Sequence, residues 1–163
     1  PSVPINSSGI TLNSYTLRPK SRGTVKLKSA NPLDDPLVDP NFLGHPDDLK
    51  KSVEGLKISV DMFNQKSLSK YIREIKFPNS TVKTQADFED YARQYGRTSY
   101  HPTCTCKIGS DDMSVVDQEL RVYGIEGLRV CDSSVMPSIV GSNTNAATIM
   151  IGEKASDLIR GNH

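Results

Sequence analysis

Apolar and polar positions along the chain predict strands first, then two amphipathic helices, a polar centre, and short strands closed by a third helix. Ile10, Leu12, Tyr15 and Leu17 mark an apolar segment that ends at Arg18-Pro19, and Ser21-Arg22-Gly23 is a turn. Thr24-Val25-Lys26-Leu27-Lys28 alternates apolar and basic positions, as a half-buried strand does, so the two segments predict a hairpin. Asn31 to Pro40 carries Pro32, Pro36 and Pro40 among Asp34, Asp35 and Asp39 and predicts loop; it has neither the spacing nor the glycine of a calcium-binding loop. From Pro46, apolar residues recur at Leu49, Val53, Leu56, Val60 and Phe63, one face of a helix of about five turns. Asn64 to Ser69 is a break, and Ile72, Ile75 and Phe77 predict a short strand stopped by Pro78. Thr84 caps a second helix in which Phe88, Tyr91, Ala92 and Tyr95 share a face, with Gly96 as its stop.

The polar centre is Thr98-Ser99-Tyr100-His101-Pro102-Thr103-Cys104-Thr105-Cys106-Lys107-Ile108-Gly109. It is too polar for a core strand and too interrupted for a helix, and predicts a strand end that turns at Pro102 and restarts after Gly109. Val115-Val116-Asp117, Arg121-Val122-Tyr123 and Leu128-Arg129-Val130-Cys131 then predict short strands separated by turns, the last ending in Asp132-Ser133-Ser134. Pro137 to Asn145 predicts loop, and Ala146 to Arg160 a helix with Ala147, Ile151, Ala155 and Leu158 on one face and Gly161 as its stop. The two polar stretches, around His101 and at Gly141-Ser142-Asn143-Thr144-Asn145, are expected to meet in space.

Composition narrows the function classes. At 163 residues the chain suffices for one domain with a real core. A formal net charge of +1, with Lys and Arg scattered among Asp and Glu, argues for neither nucleic acid nor a membrane surface. The longest unbroken apolar run, Ile149-Met150-Ile151, is far below the ~20 residues a membrane span needs. Trp is absent, which speaks against a carbohydrate- or base-stacking platform. Three cysteines make a disulfide framework unexpected, so a reducing, cytoplasmic compartment is expected, with association to a membrane through an electron acceptor left open. In that compartment the Asn6 and Asn79 sequons read as chance. There is no G-x-G-x-x-G after a strand and no P-loop. The first residue is Pro1 and the leading residues read as loop, so the chain is expected to be a fragment of a longer protein.

The residue types alone leave several chemistries open. His101 is suited to proton exchange near neutral pH, and it is also a residue type common in purely structural roles. A nucleophilic Cys104 or Cys106 beside His101 would be awkward in so short a span. A zinc site from His101, Cys104 and Cys106 lacks a fourth ligand. Cys131, on an apolar strand, is expected to be buried. An Asp-Ser turn after a strand suits a polar ligand and equally suits an ordinary strand-to-turn transition.

Five segments in order resemble the C-terminal part of the glucose–methanol–choline (GMC) oxidoreductases, a family of flavin-dependent alcohol oxidases and dehydrogenases. Leu17-Arg18-Pro19-Lys20-Ser21-Arg22-Gly23 resembles the family's LRPxSRG segment, and Val38-Asp39-Pro40-Asn41-Phe42-Leu43 its xDPNYL segment. His101 to Gly109 resembles HPxGTCxMG, with Cys104 where the commonest form has Gly and Ile108 in place of Met. The HPxCTC form is similar to that of choline-dehydrogenase-like members. Val115 to Pro137 resembles VVDxxLRVxGxxGLRVxDASxMP, and Asn143 to Ala155 the NxNxxTxMIxEKAAD ending.

The resemblance implies an α+β fold: an antiparallel sheet with helices packed on one face, plus a closing strand and helix of the FAD domain. Residues 1–109 would be the substrate-binding, or cap, portion and 110–163 the contribution to the FAD-binding half, whose N-terminal dinucleotide-binding part is not in this chain. It implies oxidation of a primary alcohol, choline being one candidate, to the aldehyde by hydride transfer to flavin N5. His101 would be the base and Asn143 would orient the substrate oxygen. Asp132, Ser133, Thr144 and Asn145 would contact the FAD. No metal site is implied. The partners implied are the small alcohol and the missing FAD-binding half, with no nucleic acid and no transmembrane segment. The chain alone would be inactive and bind no flavin. A thiol or zinc domain built on Cys104, Cys106 and His101, and a non-catalytic interaction domain, are the alternatives.

Overall fold

The computed structural model describes residues 8–161. It is a mixture of helix with a small antiparallel sheet, and within the described residues it divides into two compact units: 8–16 with Leu43–Gly96, and Leu17–Phe42 with 97–161.

The first unit is helical. Helix α1 spans Pro46–Asn64, with Pro46 in its first turn and His45 as N-cap, the imidazole Nδ1 accepting the Asp47 N–H at 3.1 Å. Gly55 sits within α1 because Ser14 passes close by: a Cβ there would come within 2.7 Å of the Ser14 hydroxyl. Gln65 is extended and separates α1 from a single turn, α2, at Lys66–Ser69, inside the stretch predicted to be a break. Helix α3 spans Gln85–Tyr95 and starts with a complete capping box: the Thr84 hydroxyl accepts the Asp87 N–H and the Asp87 carboxylate accepts the Thr84 N–H. Gly96 is its C-cap, with the Gly96 N–H donating to Ala92 O. The apolar stripe of α1 meets that of α3, so Leu49, Val53 and Ala92 are buried with Leu43 and Phe88 against them. Tyr91 and Tyr95 stack at 4.7 Å between ring centroids.

Two predicted strands are not formed here. Ile10 to Tyr15 has no strand partner; it runs along the surface with Ile10 and Tyr15 exposed, and the Thr16 hydroxyl meets that of Ser52 on α1. Ile72 to Phe77 is irregular and leads into a cis Phe77–Pro78 peptide. An apolar alternation without a neighbouring strand has no ladder to join.

The second unit carries the sheet. Strand β1, Thr24–Lys26, lies where the alternation predicts it, but its antiparallel partner is β2, Leu37–Asp39, in register Thr24↔Asp39, Val25↔Val38 and Lys26↔Leu37. The prolines of this stretch bound β2 rather than exclude it: Pro36 precedes it, Pro40 follows it, and a residue before proline, here Asp39, is biased toward extended backbone. Side-chain bonds among Ser29, Asn31 and Asp34 shape the connection.

The other predicted strands of this unit reduce to isolated bridges, Ile108↔Val116, Val116↔Val122 and Arg121↔Arg129. The intervening turns are too close together for a ladder to extend, with Gly124 and Gly127 at positive φ. Cys131 is half-buried against the core rather than fully buried in a strand. Helix α4 runs Asn145–Arg160 and stops at left-handed Gly161. Its Ala155, Ile151 and Leu158 close over Val116, Leu120 and Val135. That core packs Ile108, a turn at 133–135 and α4 together, the three elements that deliver the polar residues of the site.

Candidate active site

The stretch from His101 to Gly109 is irregular apart from the single bridge at Ile108. It is fixed by backbone bonds to the turn after residue 132: Cys106 N–H donates to Ser134 O at 3.0 Å and Ile108 N–H to Val135 O at 2.8 Å. The Ser133 hydroxyl donates to Pro102 O at 3.1 Å, beside His101. The turn itself is a short 3-10 segment, Ser133–Val135, capped by the Asp132 carboxylate. The Ser134 hydroxyl, then its backbone N–H, hold that carboxyl below the usual aspartate range, so Asp132 is an anion at neutral pH.

His101 and Asn143 come together across 42 positions of sequence, with Asn143 Nδ2 and His101 Nε2 3.5 Å apart, a contact at the outer limit of a hydrogen bond. On the other side of the ring, Nδ1 lies 2.9 Å from the Thr144 hydroxyl. His101 is half-buried, Asn143 is exposed, and Thr144 is only 7% exposed. Both ring nitrogens therefore face Asn143 and Thr144 rather than a cysteine. Cys104 Sγ lies 3.1 Å from the Thr103 hydroxyl, and all three thiols are free and half-buried. Among the described residues, no three His, Cys, Asp or Glu side chains are grouped to hold a metal ion.

Asn143 is fixed by its own helix, its Oδ1 accepting the Asn145 N–H at 2.9 Å. Thr144 is the N-cap residue of α4, but its side chain makes no cap bond. The first-turn amides, which have no intrahelical acceptor, are thus not consumed by the N-cap side chain, and only that of Asn145 is held by Asn143. The Arg18 guanidinium lies against Gly141, where even a Cβ would come within 2.9 Å of it, beside the loop that delivers Asn143.

The structure thus brings His101, Asn143 and Thr144 into direct contact and ties Ser133 to the His101 stretch. The hydroxyl of Thr144 is the site feature that the sequence conceals, because a Thr opening a helix reads as an N-cap. The donor set fits a flavin: helix-start amides suit the electron-rich edge of the ring, and a His–Asn pair suits an alcohol oxygen.

The family model for GMC oxidoreductase matches residues 19–152. An alcohol dehydrogenase [acceptor] of Pseudomonas putida is 45% identical over 151 residues, 93% of this chain and 27% of that protein. An oxygen-dependent choline dehydrogenase of Pseudomonas aeruginosa is 39% identical over 157 residues, 96% of this chain and 28% of that protein. Among solved structures, an FAD-dependent oxidoreductase from Chaetomium thermophilum superposes with a TM-score of 0.77 at 32% identity, covering 90% of this chain and 26% of that one. The chain belongs to the GMC oxidoreductase family. It spans little more than a quarter of the length of the curated relatives named here. Among the described residues no helix is long and apolar enough to cross a membrane.

Proposed function

We propose that this chain is the substrate-facing and flavin-closing part of an FAD-dependent enzyme that oxidises a primary alcohol, with choline as one candidate, to the aldehyde. The observation that carries the reading is the approach of Asn143 to His101, 3.5 Å between their nitrogens. FAD, when bound, supplies the two-electron acceptor for the hydride that leaves the alcohol carbon. His101 takes the hydroxyl proton at Nε2, a positioned transfer that contributes ~10²–10⁴-fold. Asn143 cannot titrate, and its amide orients the substrate oxygen. Asp132, Ser133, Thr144 and Asn145 would hold the cofactor's polar edge, where the start of α4 favours negative charge.

By role, residues 1–109 belong to the substrate portion, which includes the antiparallel pair β1 and β2 and the helices α1 to α3. Residues 110–163 supply the closing strand and helix of the flavin half. The dinucleotide-binding part lies outside these residues, so the chain alone is inactive. The enzyme is placed in the cytoplasm, with association to a membrane through an electron acceptor left open.

In the full-length enzyme, His101→Ala is expected to keep its flavin spectrum and to reduce the flavin at least ~100-fold more slowly with substrate. Stopped-flow reduction at a near wild-type rate would remove His101 from the mechanism. The 163-residue chain by itself is expected to bind no flavin at micromolar concentration. A saturable titration would relocate the flavin contacts.

A further inference from the structure

We propose that Thr144 is a positioning residue for His101: its hydroxyl accepts the imidazole Nδ1–H and so keeps the proton off Nε2, the nitrogen beside Asn143. The proposal rests on His101 acting as the base, and its basis is a chain of donors and acceptors whose first member has only one polarity. The Asn145 backbone N–H can only donate, and it donates to Asn143 Oδ1 at 2.9 Å. The Asn143 amide is thereby oriented with its NH₂ toward His101, where Nδ2 lies 3.5 Å from Nε2. An NH₂ facing a ring nitrogen is complementary to a lone pair there and repels an N–H, which favours Nε2 as the acceptor and the proton on Nδ1 in the neutral ring. That Nδ1–H meets Thr144 Oγ1 at 2.9 Å, the shorter of the two contacts to the ring.

Two further observations single out Thr144. It is the N-cap of α4, a position where a threonine hydroxyl ordinarily accepts an N–H of the first turn, yet it makes no such bond, and its own backbone is in the helical region at φ −75° and ψ −12°. Its hydroxyl is committed to His101 instead. Thr144 is also held rigidly: it is buried, and its carbonyl accepts both the N–H and the hydroxyl of Thr148, at 2.9 and 2.8 Å. A hydroxyl fixed to the first turn of a packed helix sets the ring's orientation more firmly than a loop residue would.

The molecule contains its own control. His45 accepts a backbone N–H at Nδ1, so its neutral form carries the proton on Nε2, the opposite tautomer. Nitrogen-15 NMR of histidine-labelled full-length protein, with assignments from His45→Gln and His163→Gln, is expected to show His101 protonated at Nδ1 and His45 at Nε2. In Thr144→Val the His101 signals should move toward a tautomer mixture. Flavin reduction at saturating substrate should then fall about tenfold or more, with the substrate dissociation constant changed less than about twofold. Thr144→Ser, which keeps the hydroxyl, should restore the tautomer and a rate within about threefold of wild type.

Wild-type protein with His101 protonated at Nε2 would overturn the proposal without any variant. Equal impairment of the Val and Ser variants would also overturn it, because packing at the helix start would then explain the loss. Should His101→Ala leave the rate intact, the assignment of His101 as base fails, while the tautomer measurement still decides what Thr144 does to the ring.

Discussion

The two compact units solve the problem of holding a chain in place differently. The helical unit relies on periodic burial: α1 and α3 each present a stripe, and Leu49, Val53 and Ala92 fill the seam between them. The other unit has only three-residue strands, a single 3-10 turn and α4 as regular elements. It compensates with backbone bonds between irregular segments, such as Cys106 to Ser134 and Ile108 to Val135, over a core of Val116, Leu120, Val135 and Ala155. All the proposed site residues belong to this second unit. Irregular backbone converging on one core can bring side chains from distant stretches to a single point, which the parallel stripes of a helix pair do not do.

The sharpest way to break this comparison is to cut into each core. Leu120→Ala is expected to destabilise the irregular unit by about 2–5 kcal/mol. The His101–Asn143 contact should be lost with it, because the same core packs Ile108 and Ala155. Leu49→Ala should cost toward the lower end, about 2 kcal/mol, since its cluster is small. It should leave the His101 resonances unchanged. Denaturant unfolding followed by both backbone and histidine signals separates the two, and a His101 shift in Leu49→Ala would sink the idea that the units are independently cored.

The same contrast explains what was legible in the sequence. The stripes of α1, α3 and α4 follow from apolar spacing, and Thr84 announces its helix because Asp87 completes a capping box. Strand β2 is obscured because Pro36 and Pro40 suggest a break, although proline also favours extended backbone in the residue before it. The segments at 115–117, 121–123 and 128–131 are legible as apolar, but their reduction to single bridges depends on tight turns whose partners are set by tertiary packing. The motifs place His101 and Asn143. They do not reveal that Thr144 turns its hydroxyl to the ring, a choice made by the three-dimensional position of His101.

A smaller effect is expected where the helical unit depends on a local signal. Thr84→Ala removes the hydroxyl that accepts the Asp87 N–H, and should cost about 1 kcal/mol, measured as a shift in the unfolding midpoint of α3. An unchanged midpoint would show that packing against α1 alone specifies where that helix starts.

Acid should separate the units more gently. Asp111, Asp117 and Asp132 in the irregular unit, and Asp87 in the helical one, all have carboxyls held below the usual range. The leading causes are hydrogen bonds from the Lys107 side chain, the Arg121 N–H, the Ser134 hydroxyl and the Thr84 N–H, respectively. A carboxyl with a lowered folded-state pKa binds fewer protons folded than unfolded. Its contribution is complete above about pH 4 and is lost as pH falls through the folded value. Between pH 5 and pH 3 the irregular unit should therefore lose protection from hydrogen exchange faster than the helical one. Parallel loss in both would show that these carboxylates do not distinguish them.

The smallest expected effect concerns Cys104. Its φ is +74°, in the left-handed region that side chains other than glycine rarely adopt. The commonest form of the motif it resembles has glycine at this position, so the backbone keeps a glycine conformation that the side chain does not favour. Relief of that strain in Cys104→Gly is worth about 1–2 kcal/mol. It is opposed by the extra freedom glycine gains in the unfolded chain, about 0.5–1 kcal/mol, and by loss of the 3.1 Å contact between Sγ and the Thr103 hydroxyl. The balance favours the glycine by a few tenths of a kcal/mol to about 1 kcal/mol, with the position of His101 unchanged. Unfolding midpoints of the wild type and the variant, read with the His101 nitrogen shifts, test both halves. A destabilised Cys104→Gly would mean that the thiol's packing outweighs the backbone strain, and that the irregular unit depends on this side chain as the helical unit depends on its stripe.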